Sequence, residues 1–350
     1  MDIQKFAREN IIRMKGYVPG EQPGEKRVTK LNTNENPYPP SPRVLEAIRS
    51  AASDELRLYP PPMADRLLEA AAEVYGVPPD HILAGNGSDE LLSILTRVFV
   101  GENDRVAYPI PTYTLYETLC RIQGGSIVEI PFPEDFSFPE ELLSSGAKMI
   151  FLANPNSPSG TVIEPGEIER VARSFDGVLV VDEAYADFAG VTCIPLVKEL
   201  KNVVVLRTFS KSFSLAGIRL GLAFAHPEVV KQMVKVKDSY NVNALTQAAG
   251  LAALKDVEWM RKNVGKIVRT RERLSRELER MGFRVYPSRA NFVLARMPGK
   301  RVDWIFAELK KRNILVRYFD APMLEECLRI TVGTDEEIDS LLKELETLVK

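Results

Sequence analysis

The sequence predicts a three-layer α/β/α fold with a mainly parallel central sheet, joined to a smaller α+β unit and preceded by an N-terminal arm. Three observations predict it. First, short apolar runs rich in Val and Ile, RVAYP (105–109), KMIFLA (148–153), VLVVD (178–182), NVVVLR (202–207) and LGLAFA (220–225), alternate with amphipathic segments. Hydrophobicity that is continuous rather than alternating marks strands covered on both faces, as in a parallel sheet with helices on each side. Second, the chain has 350 residues, 45% of them apolar. Single cores stop growing near ~250 residues, so a second lobe is expected. Third, the pattern changes after residue 255. A long charged helix over 255–281, with Val264, Ile267, Val268, Leu274, Leu278 and Met281 on its inner face, precedes FRVYP, ANFVLAR, ILVRYF and LRITVG with one helix between them.

The Arg and Glu residues of that long helix read as a solvated face. A last helix starts from Thr334, with a Thr334/Glu337 capping box and an apolar stripe of Ile338, Leu341, Leu342, Leu345 and Leu348. The first 40 residues contain Pro19, Pro23, Pro37, Pro39 and Pro40 and read as an extended arm. The expected units are therefore an arm (1–40), a large domain (41–255) and a small domain (256–350).

Composition narrows the function classes. A net charge of −2 leaves no basic excess to attract nucleic acid or an anionic membrane, so a small-molecule ligand is expected. The N-terminus has an early charged residue, no uninterrupted apolar segment and no small-residue cleavage site, which points to the cytoplasm. Cys120, Cys193 and Cys327 are isolated from one another and read as inert thiols. His81 and His226 are the only histidines, so histidine triads and His-rich metal sites are disfavoured and no metal is expected. Acid–base chemistry must then come from lysine, tyrosine, carboxylates or a cofactor.

The residues that carry chemistry lie after the apolar runs. RTFSKSFSLAGIRLG (Arg207–Gly221) sets Lys211 just past a strand, between Thr208 and Ser210 on one side and Arg219 eight residues on. An amine beside several phosphate donors is what a phosphorylated aldehyde requires. VLVVDEAYADF places Asp182 at a strand end with Tyr185 three residues later. A carboxylate there can keep a proton on a pyridine nitrogen, and the tyrosine can donate to the ring's phenolic oxygen. AGNGSDE (84–90) is a glycine turn opening a helix, whose Gly87, Ser88 and Asp89 amides make a phosphate cradle. NPNSPSG (154–160) offers Asn156. Taken singly, these have plain readings: a surface lysine, a helix cap, a common Gly turn and a Pro/Asn turn.

Taken in order along the chain, they resemble the fold-type I aminotransferases that depend on pyridoxal 5'-phosphate (PLP). The resemblance implies that Lys211 holds PLP in imine linkage, that Asp182 faces the pyridine nitrogen, and that Tyr185 and Asn156 face the ring hydroxyl. It also implies that Tyr113, in PTYTLY, stacks on the ring. The phosphate would be held by Ser88, Thr208, Ser210 and Arg219, with Tyr59 contributed by the second subunit of a homodimer. After Tyr59 the chain runs PPP where relatives commonly have an Asp.

KLNTNENPYPPSP (30–42), YVPG (17–20), SYNVNALTQAA (239–249), ILVRYF and LRITVG resemble the histidinol-phosphate aminotransferases over essentially the whole chain, with Ser239 where relatives usually carry Pro. The resemblance makes Arg329 the carboxylate-binding arginine. A guanidinium fork accepts a phosphate as readily, and Arg317 and Tyr17 can add donors to a dianion. The implied reaction converts histidinol phosphate and 2-oxoglutarate to imidazole acetol phosphate and glutamate by a ping-pong course in histidine biosynthesis. Alternatives are an aromatic or other amino-acid aminotransferase on the same scaffold, a threonine-phosphate decarboxylase, and a cofactor-binding module of a transcription regulator. For the last, no helix-turn-helix-sized segment or basic block precedes residue 30.

Overall fold

The apolar runs form strands because their side chains find cover on both faces. The computed structural model describes residues 1–17, 20–24 and 28–349. After a two-residue strand β1 (Thr29–Lys30), a seven-stranded sheet is built from β2 (Ile82–Gly85), β3 (Arg105–Ile110), β4 (Ser126–Pro131), β5 (Met149–Ala153), β6 (Val178–Asp182), β7 (Val203–Thr208) and β8 (Gly221–Ala225). Successive side chains of a strand face opposite ways. Ile150, Leu152, Leu179, Val181, Val203 and Val205 enter one core, while Met149, Phe151, Val180, Val204 and Leu206 enter another on the far side. The three-layer α/β/α architecture expected from the sequence is the one observed.

The strands lie in the order β2-β8-β7-β6-β5-β3-β4. Pairings from β7 through β4 are parallel, and β8 runs antiparallel to both its neighbours. The reversed strand therefore begins where the others end. Gly221, first in β8, is paired with Gly85 at the end of β2 and with Thr208 at the end of β7. Loops leaving six strands and the loop entering β8 thus share one edge, where ligands of open α/β sheets collect.

The rest of the chain contributes β9 (Arg284–Val285), β10 (Phe292–Arg296), β11 (Ile314–Leu315), β12 (Arg317–Tyr318) and β13 (Cys327–Thr331). An antiparallel sheet of order β12-β13-β10-β9 packs with the helices Val257–Arg280 and Asp335–Val349 around Ile267, Leu274, Leu278, Val293, Leu328 and Leu341. The last helix starts as its sequence indicates. Thr334 N donates to Glu337 Oε2 at 2.8 Å, and Glu337 N donates to Thr334 Oγ1 at 3.3 Å. His226 caps the helix Pro227–Val236, and the three cysteines are buried and unpaired. Among the described residues no helix is long and apolar enough to cross a membrane.

Several expectations are modified. ILVRYF changes partner midway: β11 pairs in parallel with β1, whereas β12 pairs with β13. That first pairing anchors the extended arm after residue 28, where Leu31, Asn32 and Asn34 are buried. Nearer the start, the chain forms a short helix, Glu9–Arg13, and Arg8 and Asn10 donate to the carbonyls of Ile122 and Arg121, at the carboxyl end of the helix Leu115–Gln123. Val18 and Pro19 of the YVPG string lie outside the described residues. The long helix is not solvated at every charge either: Arg271 is only 8% exposed. It follows Ile267 by four residues and precedes Leu274 by three, which puts it on the apolar stripe. Its guanidinium is satisfied by the carbonyls of Ala290 at 2.9 Å and Phe188 at 3.5 Å.

Candidate active site

Asp182 ends β6, the middle strand of the sheet, and is 5% exposed. It is not a helix cap. Its Oδ1 accepts from Ala184 N at 3.2 Å, and its Oδ2 accepts from the Tyr116 hydroxyl at 2.9 Å. Burial raises its pKa to about 6, opposed by the Tyr116 hydrogen bond and reinforced by the nearby charge of Asp89. The next residue, Glu183, faces the opposite way, toward buried Arg207 at 3.0 Å.

The loops around β8 bring phosphate-type donors together. Gly87, at φ +81°, precedes the helix Ser88–Phe99, whose first amides point out of the sheet edge. A Cβ on Gly87 would lie 2.5 Å from Arg219 Nη2, and one on Gly221 would lie 2.6 Å from Ser88 N. Both positions must be glycine for the turn and the guanidinium to meet. Arg219 Nη1 donates to Ser210 Oγ at 3.1 Å, and Thr208 Oγ1 donates to the same oxygen at 3.1 Å. Arg219 itself sits at φ +56°, in the left-handed region that a residue with a side chain rarely adopts. Its Nη2 pairs with the Asp89 carboxylate at 3.2 Å, which also accepts from Tyr113 Oη at 3.2 Å. Asp89 thus brings a carboxylate as well as its amide to the cradle.

Lys211 follows β7 by three residues. Its Nζ has one weak partner, the Thr33 carbonyl at 3.3 Å, and lies 5.9 Å from the Tyr185 ring centroid. The TNEN segment fastens the same region: Asn36 Nδ2 donates to the carbonyls of Lys211 and Ser212 at 3.0 and 3.1 Å, and Asn34 Nδ2 donates to Tyr185 Oη at 3.0 Å. Asn34, Asn36 and Tyr116 contact the candidate residues and were not singled out by motif order alone. The signals were present, in two amide side chains spaced by two in TNEN and in a second tyrosine one helical turn past Tyr113.

Other candidates are placed differently from one another. Asn156 is buried with its amide committed, donating to the Pro111 carbonyl at 3.2 Å and Ser159 Oγ at 3.0 Å while accepting from Thr112 Oγ1 at 2.9 Å. Contact with a ring oxygen requires exchange of one of these bonds. Tyr17, 41% exposed, meets the Tyr113 ring edge-on at 6.0 Å. Tyr59 is 80% exposed and stacks on Tyr240 at 4.4 Å.

Arg317 and Arg329 are register partners on β12 and β13. Arg329 Nη1 donates to Ser157 Oγ at 3.2 Å and Nη2 to the Asn32 carbonyl at 2.8 Å, while its Nε is buried without a partner among the described residues. Phe292 and Phe319 flank its guanidinium at 5.3 and 5.5 Å. Among the described residues neither arginine forms an ion pair, and burial together with the charge of Arg317 lowers the pKa of Arg329.

Residues 26–345 match the family model of class I and II aminotransferases, so the fold and site belong to an aminotransferase of that family. Within it, the chain belongs to the histidinol-phosphate aminotransferases. It is 48% identical over 342 residues to the histidinol-phosphate aminotransferase of Syntrophotalea carbinolica, with 97% of this chain and 98% of that protein covered. The crystal structure of histidinol-phosphate aminotransferase from Sinorhizobium meliloti in complex with pyridoxal-5'-phosphate aligns with a TM-score of 0.86 at 29% identity, covering 91% of this chain and 90% of that one. The L-threonine-O-3-phosphate decarboxylase of Porphyromonas gingivalis aligns with a TM-score of 0.82 at 25% identity, covering 91% and 99%.

The raised pKa of Asp182 has a stability consequence in the PLP-free protein. From its ordinary value of 3.8 the group is raised to about 6 by burial, so the folded chain keeps a proton that the unfolded chain has released. The associated stability is full below pH 3.8 and is lost as pH rises through about 6. Denaturant unfolding of the PLP-free wild type and Asp182→Asn across that range should show the difference moving in favour of the variant by up to about 3 kcal/mol.

Proposed function

We propose that this aminotransferase uses PLP held through Lys211 and transfers the amino group of histidinol phosphate to 2-oxoglutarate. The observation that carries the substrate is the pair of arginines, Arg317 and Arg329, which share a register position and make no ion pair among the described residues. Two adjacent guanidiniums without a counter-ion favour a dianion, and Arg329 Nε is a buried donor still to be satisfied. The phosphate of histidinol phosphate meets that demand. Glutamate and 2-oxoglutarate present a carboxylate to Arg329 in the other half-reaction, so one site serves both.

The cofactor reading rests on the donor set. Arg219, Ser210, Thr208, Ser88 and the amides of Gly87, Ser88 and Asp89 fit a phosphate, and two glycines permit the close approach. A phosphate would compete with the Asp89 carboxylate for Arg219. Lys211 Nζ, held by one weak bond, is available for imine formation. Bound PLP supplies the carbon that receives the amino group and a ring that stores the electron pair of the broken Cα–H bond.

The chain's own groups do the rest. Asp182 retains a proton at the pyridine nitrogen, Tyr185 and Asn156 address the ring hydroxyl, and Tyr113 covers the ring face. With PLP bound, Lys211 Nζ would be the group that takes the proton from the substrate Cα. Tyr17 adds a donor toward the substrate phosphate. Donor and acceptor occupy the same site in turn, which gives ping-pong kinetics. In this reading the cofactor residues fall within 41–255, Arg317 and Arg329 within 256–350, and Tyr17 in the arm. The enzyme works as a cytoplasmic homodimer in histidine biosynthesis, with Tyr59 reaching the phosphate of the neighbouring site.

Single half-reactions test the substrate. Histidinol phosphate should bleach the visible absorbance of bound PLP without 2-oxoglutarate present, and phenylalanine should do so poorly. The reverse preference would make this an aromatic aminotransferase, and carbon dioxide release from threonine phosphate would make it a decarboxylase. Arg317→Ala should raise KM for histidinol phosphate by about ten- to hundredfold, the value of a hydrogen bond to a charged group. In the same variant KM for 2-oxoglutarate should change much less, as steady-state kinetics with each substrate varied will show.

A further inference from the structure

Tyr116 lies on the helix Leu115–Gln123, one turn beyond Tyr113, and its side chain is 0% exposed. Its ring stacks on Phe151 of β5 at 4.8 Å with 9° between planes, and the Tyr113 ring packs edge-on against it at 5.6 Å. Held in this way, the ring leaves its hydroxyl one place to go, and that is Asp182 Oδ2 at 2.9 Å. A fully buried phenol on a buried carboxylate is costly to assemble from polar groups, and space-filling alone would be served better by phenylalanine.

Resting on the PLP reading above, we propose that Tyr116 is a positioning residue that keeps Asp182 ionised and so keeps the shared proton on the pyridine nitrogen of the cofactor. A carboxylate and a pyridine nitrogen in contact share one proton, which rests on the group with the greater affinity for it. Burial strengthens the carboxylate's hold on a proton, as do the neighbouring carboxylates, Asp89 from the helix after β2 and Glu183 from the continuation of β6. The Tyr116 hydroxyl and the Ala184 amide oppose them by stabilising the ionised form. The phenols of Tyr113 and Tyr185 also face this group of charges. Ala184 contributes a backbone donor that no side chain short of proline removes. Tyr116 is therefore the side chain through which the proton's position is set. Without its hydroxyl the proton moves from the ring nitrogen to Asp182, with no other bond made or broken, and the ring becomes a poorer electron acceptor.

Tyr116→Phe keeps the ring, its stacking on Phe151 and its contact with Tyr113, so the fold should be retained. The direct readout is 15N NMR of holoenzyme reconstituted with PLP labelled at the ring nitrogen. Wild type should give a protonated nitrogen, and Tyr116→Phe should shift toward the unprotonated value. Its kcat should fall about tenfold or more, with KM for the amino donor changed little. If the variant fails to retain PLP, the PLP-free proteins answer the same question by 13C NMR of labelled aspartate, with Asp182 assigned through Asp182→Asn. Titration of Asp182 at higher pH in Tyr116→Phe supports the inference. Identical 15N shifts in the two holoenzymes, or identical Asp182 titrations, would overturn it while leaving the PLP reading intact. A wild type that takes up no PLP would overturn both.

Discussion

Asp182 ends β6 among side chains that exclude water, and a carboxylate there is costly unless donors or a cation answer it. The chain answers it only in part. Tyr116 and the Ala184 amide supply two hydrogen bonds, and among the described residues no arginine or lysine pairs with it. Its neighbour Glu183 is treated otherwise, with Arg207, Thr192 and the Cys193 amide around its carboxylate. The same arginine reaches Asp187, which accepts from Ser212, the residue after Lys211. One acid is therefore neutralised and braces the lysine's loop, while the other is left with an unmet demand for positive charge. In the proposed reading, the protonated pyridine ring of PLP would supply that charge.

Sheet topology explains why so few residues complete the site. Because β8 alone is reversed, Arg219 lies before its strand and still reaches the edge where Gly87, Asp182 and Lys211 lie after theirs. The left-handed backbone at Arg219 has a cost of order 1–3 kcal/mol, and strain of this kind tends to be kept where function needs it. Across the site, β1 pairs with β11, and Val316 alone separates β11 from β12, which carries Arg317 beside Arg329. The segment that fastens Lys211 through Asn36 and Thr33 is thus continuous with the strand that helps fix the arginine pair. The residues proposed for cofactor and substrate share one framework.

Much of this was legible in the sequence because the signals were local. Strands buried on both faces leave continuous apolar runs, and loops that hold phosphate leave glycine beside hydroxyls and arginine. What escaped detection depended on contacts across the chain. Arg271 reads as a solvent charge until the turn before β10 brings the Ala290 carbonyl over the helix. Asn34 and Asn36 look like turn residues until the arm is seen to lie against Tyr185 and Lys211, more than 150 positions away. Tyr116 reads as core, and it is core, yet its hydroxyl ends on the one acid of the site that lacks a cation. ILVRYF appears to be one strand because periodicity says nothing of a change of partner at Val316.

The central claim is that Lys211 carries the cofactor. Reducing the PLP-loaded enzyme with borohydride fixes the bond between cofactor and lysine, and peptide mapping by mass spectrometry then locates it. The account predicts one phosphopyridoxyl group per chain, on the peptide containing Lys211. A label on any other lysine, or none on a chain that turns over histidinol phosphate, would contradict it.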